Sequence, residues 1–189
     1  MDRRGTMKVL AISGSLRAGS HNTGLLRAAA EVAPAGIDVE RWDGLRAVPP
    51  YDADDDVDPA PEAVQELRDA IAAADAVLIA TPEYNSSIPG ALKNALDWAS
   101  RPLATNVLRN KPVAVIGSST GRFGAVWAQA ELRKVLGATG ARVVDAELVV
   151  PLAHEVVRED GYVDDEIAGG LRRVIDALAA EVAPVAMAA

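Results

Sequence analysis

Residues 11–26 read AISGSLRAGSHNTGLL. Lys8 to Ser13 is short and apolar and meets Gly14 at once, which suits a buried strand better than a helix. Small, polar and basic residues follow. From Asn22 or Thr23 to Val32, the residues Leu25, Leu26, Ala29 and Val32 fall near helical spacing, and Pro34 with Gly36 end the run. The stretch is therefore a strand, a polar turn and a helix, and the question it raises is what that turn holds.

The same pattern recurs outward along the chain. Ile37 to Trp42 alternates as a second strand, followed by a long polar loop from Asp43 to Pro61. Ala63, Val64, Leu67, Ala70 and Ile71 have helical spacing, and AVLIA at 76–80 is a third buried strand closed by Thr81 and Pro82. IPGALKNALDWAS, from Ile88, carries a helical apolar face with Pro89 in its first turn. PVAVIG at 112–117 is a fourth strand, Ala125 to Leu136 a helix ended by Gly137, 141–150 a fifth strand, and Ile167 to Val182 a last helix. Strands rich in Val, Ile and Ala, alternating with helices of about a dozen residues, predict a parallel sheet covered on both faces, a doubly wound α/β architecture.

Composition bounds the function. With 189 residues, half of them hydrophobic, the expectation is one domain spanning 1–189. No apolar run is long enough for a bilayer, and MDRRGTMKVLAIS lacks an apolar stretch of signal length, so a soluble, cytoplasmic protein is expected, with no membrane partner. The absence of cysteine excludes thiolate nucleophiles, disulfides and iron–sulfur ligation, and His21 and His154 are too few for a histidine-rich metal site; no metal is expected. A net charge of −8 repels a phosphate backbone and argues against nucleic acid as a partner. The aspartates of YDADDDVDPAP, from Asp52 to Asp58, read as a solvated loop rather than a metal cluster.

In such a sheet, the turns leaving the carboxyl ends of the strands share one edge, where ligands bind at the reversal of strand order. Those turns are GSLRAGSHNT, TPEYNSSIPG and SSTGRFG. The first offers only donors: the hydroxyls of Ser15, Ser20 and Thr23, the Asn22 amide, the Arg17 guanidinium and main-chain amides at a helix start. An anion is the natural ligand, and a phosphate monoester fits best. Neither the triphosphatase lysine nor the third dinucleotide glycine is present. Any one of Ser20, Asn22 or Thr23 alone reads as a helix cap, and Arg17 alone as solvated; together they favour phosphate. The second turn, stiffened by two prolines, suits the edge of a flat heterocycle, the competing reading being a strand exit with Ser87 capping the helix that Pro89 begins. The third, Ser118, Ser119, Thr120 and Gly121, is small enough for a ring to lie against its main chain.

GSLRAGSHNTGLL, PEYNSSIPGALKNALDW and SSTGRFG together resemble the flavodoxin-like NADPH-dependent FMN reductases, the group that includes bacterial quinone, chromate and azo-dye reductases. The likeness runs from Val9 to about Val150. It implies a flavodoxin-like three-layer fold, five parallel strands in the order 2-1-3-4-5, and one FMN per subunit. On it, the FMN phosphate falls to Ser15, Arg17, Ser20, Asn22 and Thr23, the isoalloxazine to Pro82, Glu83, Tyr84 and Asn85, and Ser118 and Gly121 lie near the ring. It also implies a homodimer or homotetramer with the flavin at an interface, to which Tyr84 and Arg122 contribute; Trp98 and Trp127 belong either to that interface or to ordinary helix packing, and packing is the favoured reading for each. The aspartate run departs from the family pattern.

The implied activity is ping-pong: hydride from NADPH or NADH to flavin N5, and onward to quinones, chromate, azo compounds or free flavin. No catalytic side chain is needed. The main chain of Glu83 should matter more than its carboxylate, which is unfavourable beside a reduced ring unless it points away. His21 is expected to contact the phosphate loop, cap its helix or be solvated, and His154 to lie in a loop. The alternative is a flavodoxin-type electron carrier without nicotinamide turnover of its own. A phosphate-loop enzyme without flavin lacks both the cysteine and the lysine that such chemistry uses.

Overall fold

Strands form where Val, Ile, Leu and Ala run together and are covered from both sides. The computed structural model describes residues 6–182; the first five residues of the basic opening segment lie outside them. The strands are β1 (Met7–Ser13), β2 (Ile37–Trp42), β3 (Ala76–Thr81), β4 (Pro112–Ser118) and β5 (Arg142–Val150). All pair in parallel in the order β2-β1-β3-β4-β5, the order expected. Every residue of β3 and β4 is buried, whereas the edge strands alternate in exposure.

Successive side chains of a strand face opposite sides, so the sheet separates two cores. On one side α1 (His21–Val32) and α6 (Asp165–Val182) bring Leu25, Leu171 and Ile175 against Val9, Leu78 and Ile116. On the other α2 (Glu62–Ala73), α3 (Gly90–Ala99) and α4 (Val126–Ala138) bring Leu67, Leu92 and Leu132 against Ile12, Ile79 and Val115. A single turn, α5 (Ala153–Val156), follows β5.

Several boundaries differ from the periodicity reading. α4 starts at Val126 rather than Ala125, because Gly124 and Ala125 are both left-handed (φ 55° and 65°) and cannot continue a helix backwards. It also runs through Gly137, which therefore does not end it. The stretch 43–61 is not a plain solvated loop: it contains short 3₁₀ turns at Gly44–Ala47 and Ala53–Asp55, and Leu45 is buried. Asp56 pairs with Arg68 of α2 at 2.9 Å, both side chains mostly out of water, and Arg68 also donates to the Trp98 carbonyl. Among the described residues no acidic or histidine group is arranged to hold a metal, and no helix is long and apolar enough to cross a membrane.

Candidate functional site

The turn after β1 is shaped by its own hydroxyls. Thr23 Oγ1 donates to Ser13 Oγ (3.0 Å), which accepts from the Ser15 amide (3.3 Å); Ser15 Oγ in turn accepts from the Arg17 amide (3.4 Å). Ser20 is the N-cap of α1, its Oγ accepting from the Thr23 amide (3.4 Å), so α1 begins one residue earlier than its apolar spacing suggests. Gly19 is left-handed (φ 66°), a conformation that favours glycine, and its Cα faces the movable Glu159 carboxylate.

The turn is thereby held with its donors outward. Among the described residues, the amides of Leu16, Ala18, Gly19, Ser20, His21 and Asn22 donate to no other protein group. Those at the start of α1 point along its axis, where the helix dipole is positive. A cavity of about 340 Å³ opens here, lined among others by Ser15, Arg17, Arg27, Asp43 and Arg46. The three guanidiniums donate to main-chain carbonyls, Arg17 to Gly19 (2.6 Å), Arg46 to Leu16 (2.6 Å) and Arg27 to Glu159, and Arg27 also acts on the nearby Asp43 carboxylate. Asp43 is paired with Arg41 (2.5 and 2.7 Å), and that bonded guanidinium holds its carboxyl below the usual carboxylate range.

A second cavity of about 300 Å³ shares Ser15, Arg17 and Ser20 with the first and continues to Pro82, Glu83, Tyr84 and Ser118–Thr120. All three turns singled out in the sequence therefore meet. The loop after β3 is a two-residue turn: Tyr84 and Ser87 exchange both main-chain hydrogen bonds (3.0 and 3.1 Å) around left-handed Asn85 and Ser86 (φ 52° and 59°). Ser87 does not cap α3, whose N-cap is Pro89 with no side-chain bond. Glu83 Oε2 accepts from the amides of Trp127 (3.0 Å) and Ala128 (3.1 Å) at the start of α4. Its carboxylate points at a helix N-terminus, a favourable place for negative charge, and only its main chain is left free for the cleft.

The structure places the remaining residues as follows. Asn22 lines the cleft but turns its side chain to Ser118, donating to its carbonyl (3.1 Å) and accepting from its amide (3.0 Å). The Ser118 hydroxyl is buried without a protein partner, and its main-chain amide and carbonyl are both taken up by Asn22. Asn85 and Gly121 are not in the lining; Gly121 bonds to Ser119 Oγ and Leu152, and Ser119 and Thr120 stand at the cleft in its place. His21 is held at Nδ1, 3.0 Å from the Val157 carbonyl, which requires its proton on that nitrogen. His154 is half-exposed beside Glu155 (3.6 Å). Trp98 is fully buried, as packing requires, but Trp127 is 46% exposed, its ring tilted by 57° against that of Phe123 with centroids 4.8 Å apart, so it stands at the rim rather than in the core.

Sequence reasoning missed Ser13, Arg27 and Arg46. Ser13 and Arg27 flank the quoted turn in the sequence, and Arg46 follows β2, which the 2-1-3-4-5 order puts beside β1. A larger cavity, about 480 Å³, lies elsewhere, under the aspartate loop; its buried cation, Arg68, is already engaged.

With this geometry in place, comparison with known proteins is informative. Residues 7–155 match the family model of NADPH-dependent FMN reductases. An NAD(P)H-dependent FMN reductase of Pseudomonas aeruginosa is 48% identical over 130 residues, 69% of each chain. A quinone reductase of Escherichia coli K12 is 41% identical over 140 residues, 74% of each. Among solved structures, the flavoenzyme NAD(P)H:(acceptor) oxidoreductase FerB of Paracoccus denitrificans superposes with a TM-score of 0.84 at 35% identity, over 94% of this chain and 98% of that one. A flavodoxin-like sheet, three turns meeting at its carboxyl edge and these relatives agree: the chain belongs to the NADPH-dependent FMN reductase family, an oxidoreductase enzyme that works with FMN and NAD(P)H.

Proposed function

We propose that this chain, as a single flavin-binding domain, passes electrons from NADPH or NADH to quinones or other small acceptors such as chromate, azo compounds or free flavin. FMN, when bound, supplies the redox chemistry, taking a hydride from the nicotinamide and returning electrons to the acceptor. The observation that carries the reading is the meeting of the three turns on one cleft, with a row of free amides and Arg17 at one end.

The residues present fit FMN. A dianionic phosphate matches the open amides of 18–22, the Ser15, Ser20 and Thr23 hydroxyls and the positive charge of Arg17, Arg27 and Arg46. Asn22 contributes its main-chain amide there. The Pro82–Asn85 turn and the Ser118–Thr120 segment, backed by Gly121, hold the ring by its edge; the Ser118 and Ser119 amides are spent on Asn22 and Val150, which leaves the Thr120 amide as the donor of this loop that faces negative charge on the ring. Glu83, tied to α4, keeps its carboxylate off that charge.

The rim supports a homodimer or homotetramer: Tyr84, Phe123 and Trp127 are all about half-exposed or more, and the Glu83–Trp127 bond makes them neighbours. Trp127→Glu should dissociate the assembly in sedimentation; an unchanged mass removes this face from the interface. We place the protein in the cytoplasm, in keeping with its net charge and lack of cysteine.

The test is anaerobic titration of the FMN-loaded protein with NADPH and with NADH. Bleaching of the flavin band followed by recovery on adding a quinone is expected. A flavin that binds but stays oxidised with both nucleotides would instead identify a flavodoxin-type electron carrier, and absence of FMN binding would reject a flavin site.

A further inference from the structure

The Asn22 side chain is a predicted phosphate ligand whose two polar atoms, Oδ1 and Nδ2, are both bonded to Ser118. It is 3% exposed, and its partner Ser118 is 1% exposed. The two residues lie 96 positions apart: Asn22 stands in the first turn of α1, which follows β1, and Ser118 ends β4, and β3 separates those two strands in the sheet. With neighbouring strands about 4.8 Å apart, their exits are separated by roughly 10 Å.

The last pair between β3 and β4 is Thr81 with Gly117. Beyond it β3 has turned away; on the other side Ser118 stays in register with Val150 of β5, where the Ser119 amide bonds to the Val150 carbonyl, while the Ser118 amide and carbonyl are turned to Asn22. The Asn22 carboxamide supplies both bonds, Oδ1 accepting from the amide (3.0 Å) and Nδ2 donating to the carbonyl (3.1 Å). It imitates one rung of a missing strand. Because the pair is dry, neither bond competes with water, and breaking it would strand two buried main-chain groups.

We infer that Asn22 is a positioning residue, which fixes the start of α1 to the exit of β4 and so sets the span between the phosphate end and the ring end of the cleft. The inference deepens the FMN reading and rests on it. A side chain that binds phosphate affects only ligands that carry one. A clamp between the two ends affects any ligand that uses the 118–120 loop.

Asn22→Ala and Asn22→Asp, the second keeping size but setting a carboxylate against the Ser118 carbonyl, are compared with wild type by flavin fluorescence titration. Affinities for FMN and for riboflavin, which lacks the phosphate, should both fall about tenfold. In the apoprotein, hydrogen exchange should show the Ser118 amide losing protection while Val115 and Ile116 keep theirs, which also establishes that the sheet is intact. Loss of FMN affinity with riboflavin unchanged, or a Ser118 amide that stays protected, overturns the clamp. A wild type that binds neither flavin rejects the FMN reading and the positioning role with it, whereas the exchange result separately decides whether the Asn22–Ser118 link exists.

Discussion

The two ends of the cleft are built on opposite plans. At the phosphate end, the turn 14–20 is braced by hydroxyls from within a dozen residues of itself, Ser13, Ser15, Ser20 and Thr23, and its amides are left open. At the ring end, the turn 82–87 is braced from outside, by Glu83 reaching 44 residues onward to the start of α4. The difference follows from the ligand chemistry each end serves. A compact anion is held by donors that one turn and one helix start can supply, whereas a flat ring needs surfaces from separate strands.

Arg17→Ala should break the phosphate end alone. Losing one charge-assisted bond costs about 1.5–3 kcal/mol, so FMN affinity should fall between about tenfold and a hundredfold with riboflavin affinity unchanged. Equal losses for the two ligands would mean that the ends are not separable in this way.

Glu83→Ala should act on the other end. Two helix-start amides lose their acceptor, and thermal unfolding should report a loss of about 1–2 kcal/mol. Both flavins should weaken equally, because the phosphate end is untouched; a selective loss of FMN would contradict the division.

Smaller changes sharpen the contrast. Ser86 is left-handed in a two-residue turn where glycine is preferred, so Ser86→Gly should raise stability by about 0.5 kcal/mol in denaturant titration. Asp43, beside the phosphate end, has its pKa lowered by Arg41, so its contribution is present at neutral pH and is lost as the pH falls through the depressed folded value. Its exposure limits the effect to a few tenths of a kcal/mol. Asp43→Asn should flatten the acid limb of the stability curve by that amount and leave the alkaline limb unchanged.

What was legible in the sequence tracks how local each interaction is. The donors of GSLRAGSHNT could be read as an anion site because they act on neighbouring residues. Ser20 and the start of α1 were visible within one residue for the same reason. The Ser87 cap was misread: nothing in TPEYNSSIPG shows that Ser87 pairs back to Tyr84, which depends on Asn85 and Ser86 both turning left-handed. For Trp127 the choice between helix packing and an interface does not follow from local pattern: the left-handed pair at 124–125 sets where α4 begins, and Trp127 comes out beside Phe123 at the rim.

The sequence alone determined the alternation of strands and helices, the parallel sheet and the three polar turns, because periodicity, glycine and proline act over a few residues. The tertiary structure decided what those turns become together. Arg46 reaches the phosphate end through the pairing of β2 with β1, Glu83 ends on α4, and Asn22 spends its side chain on Ser118 rather than on a ligand. Each of these joins residues at least 30 positions apart, and strand order, which no local pattern encodes, brings them within hydrogen-bonding distance.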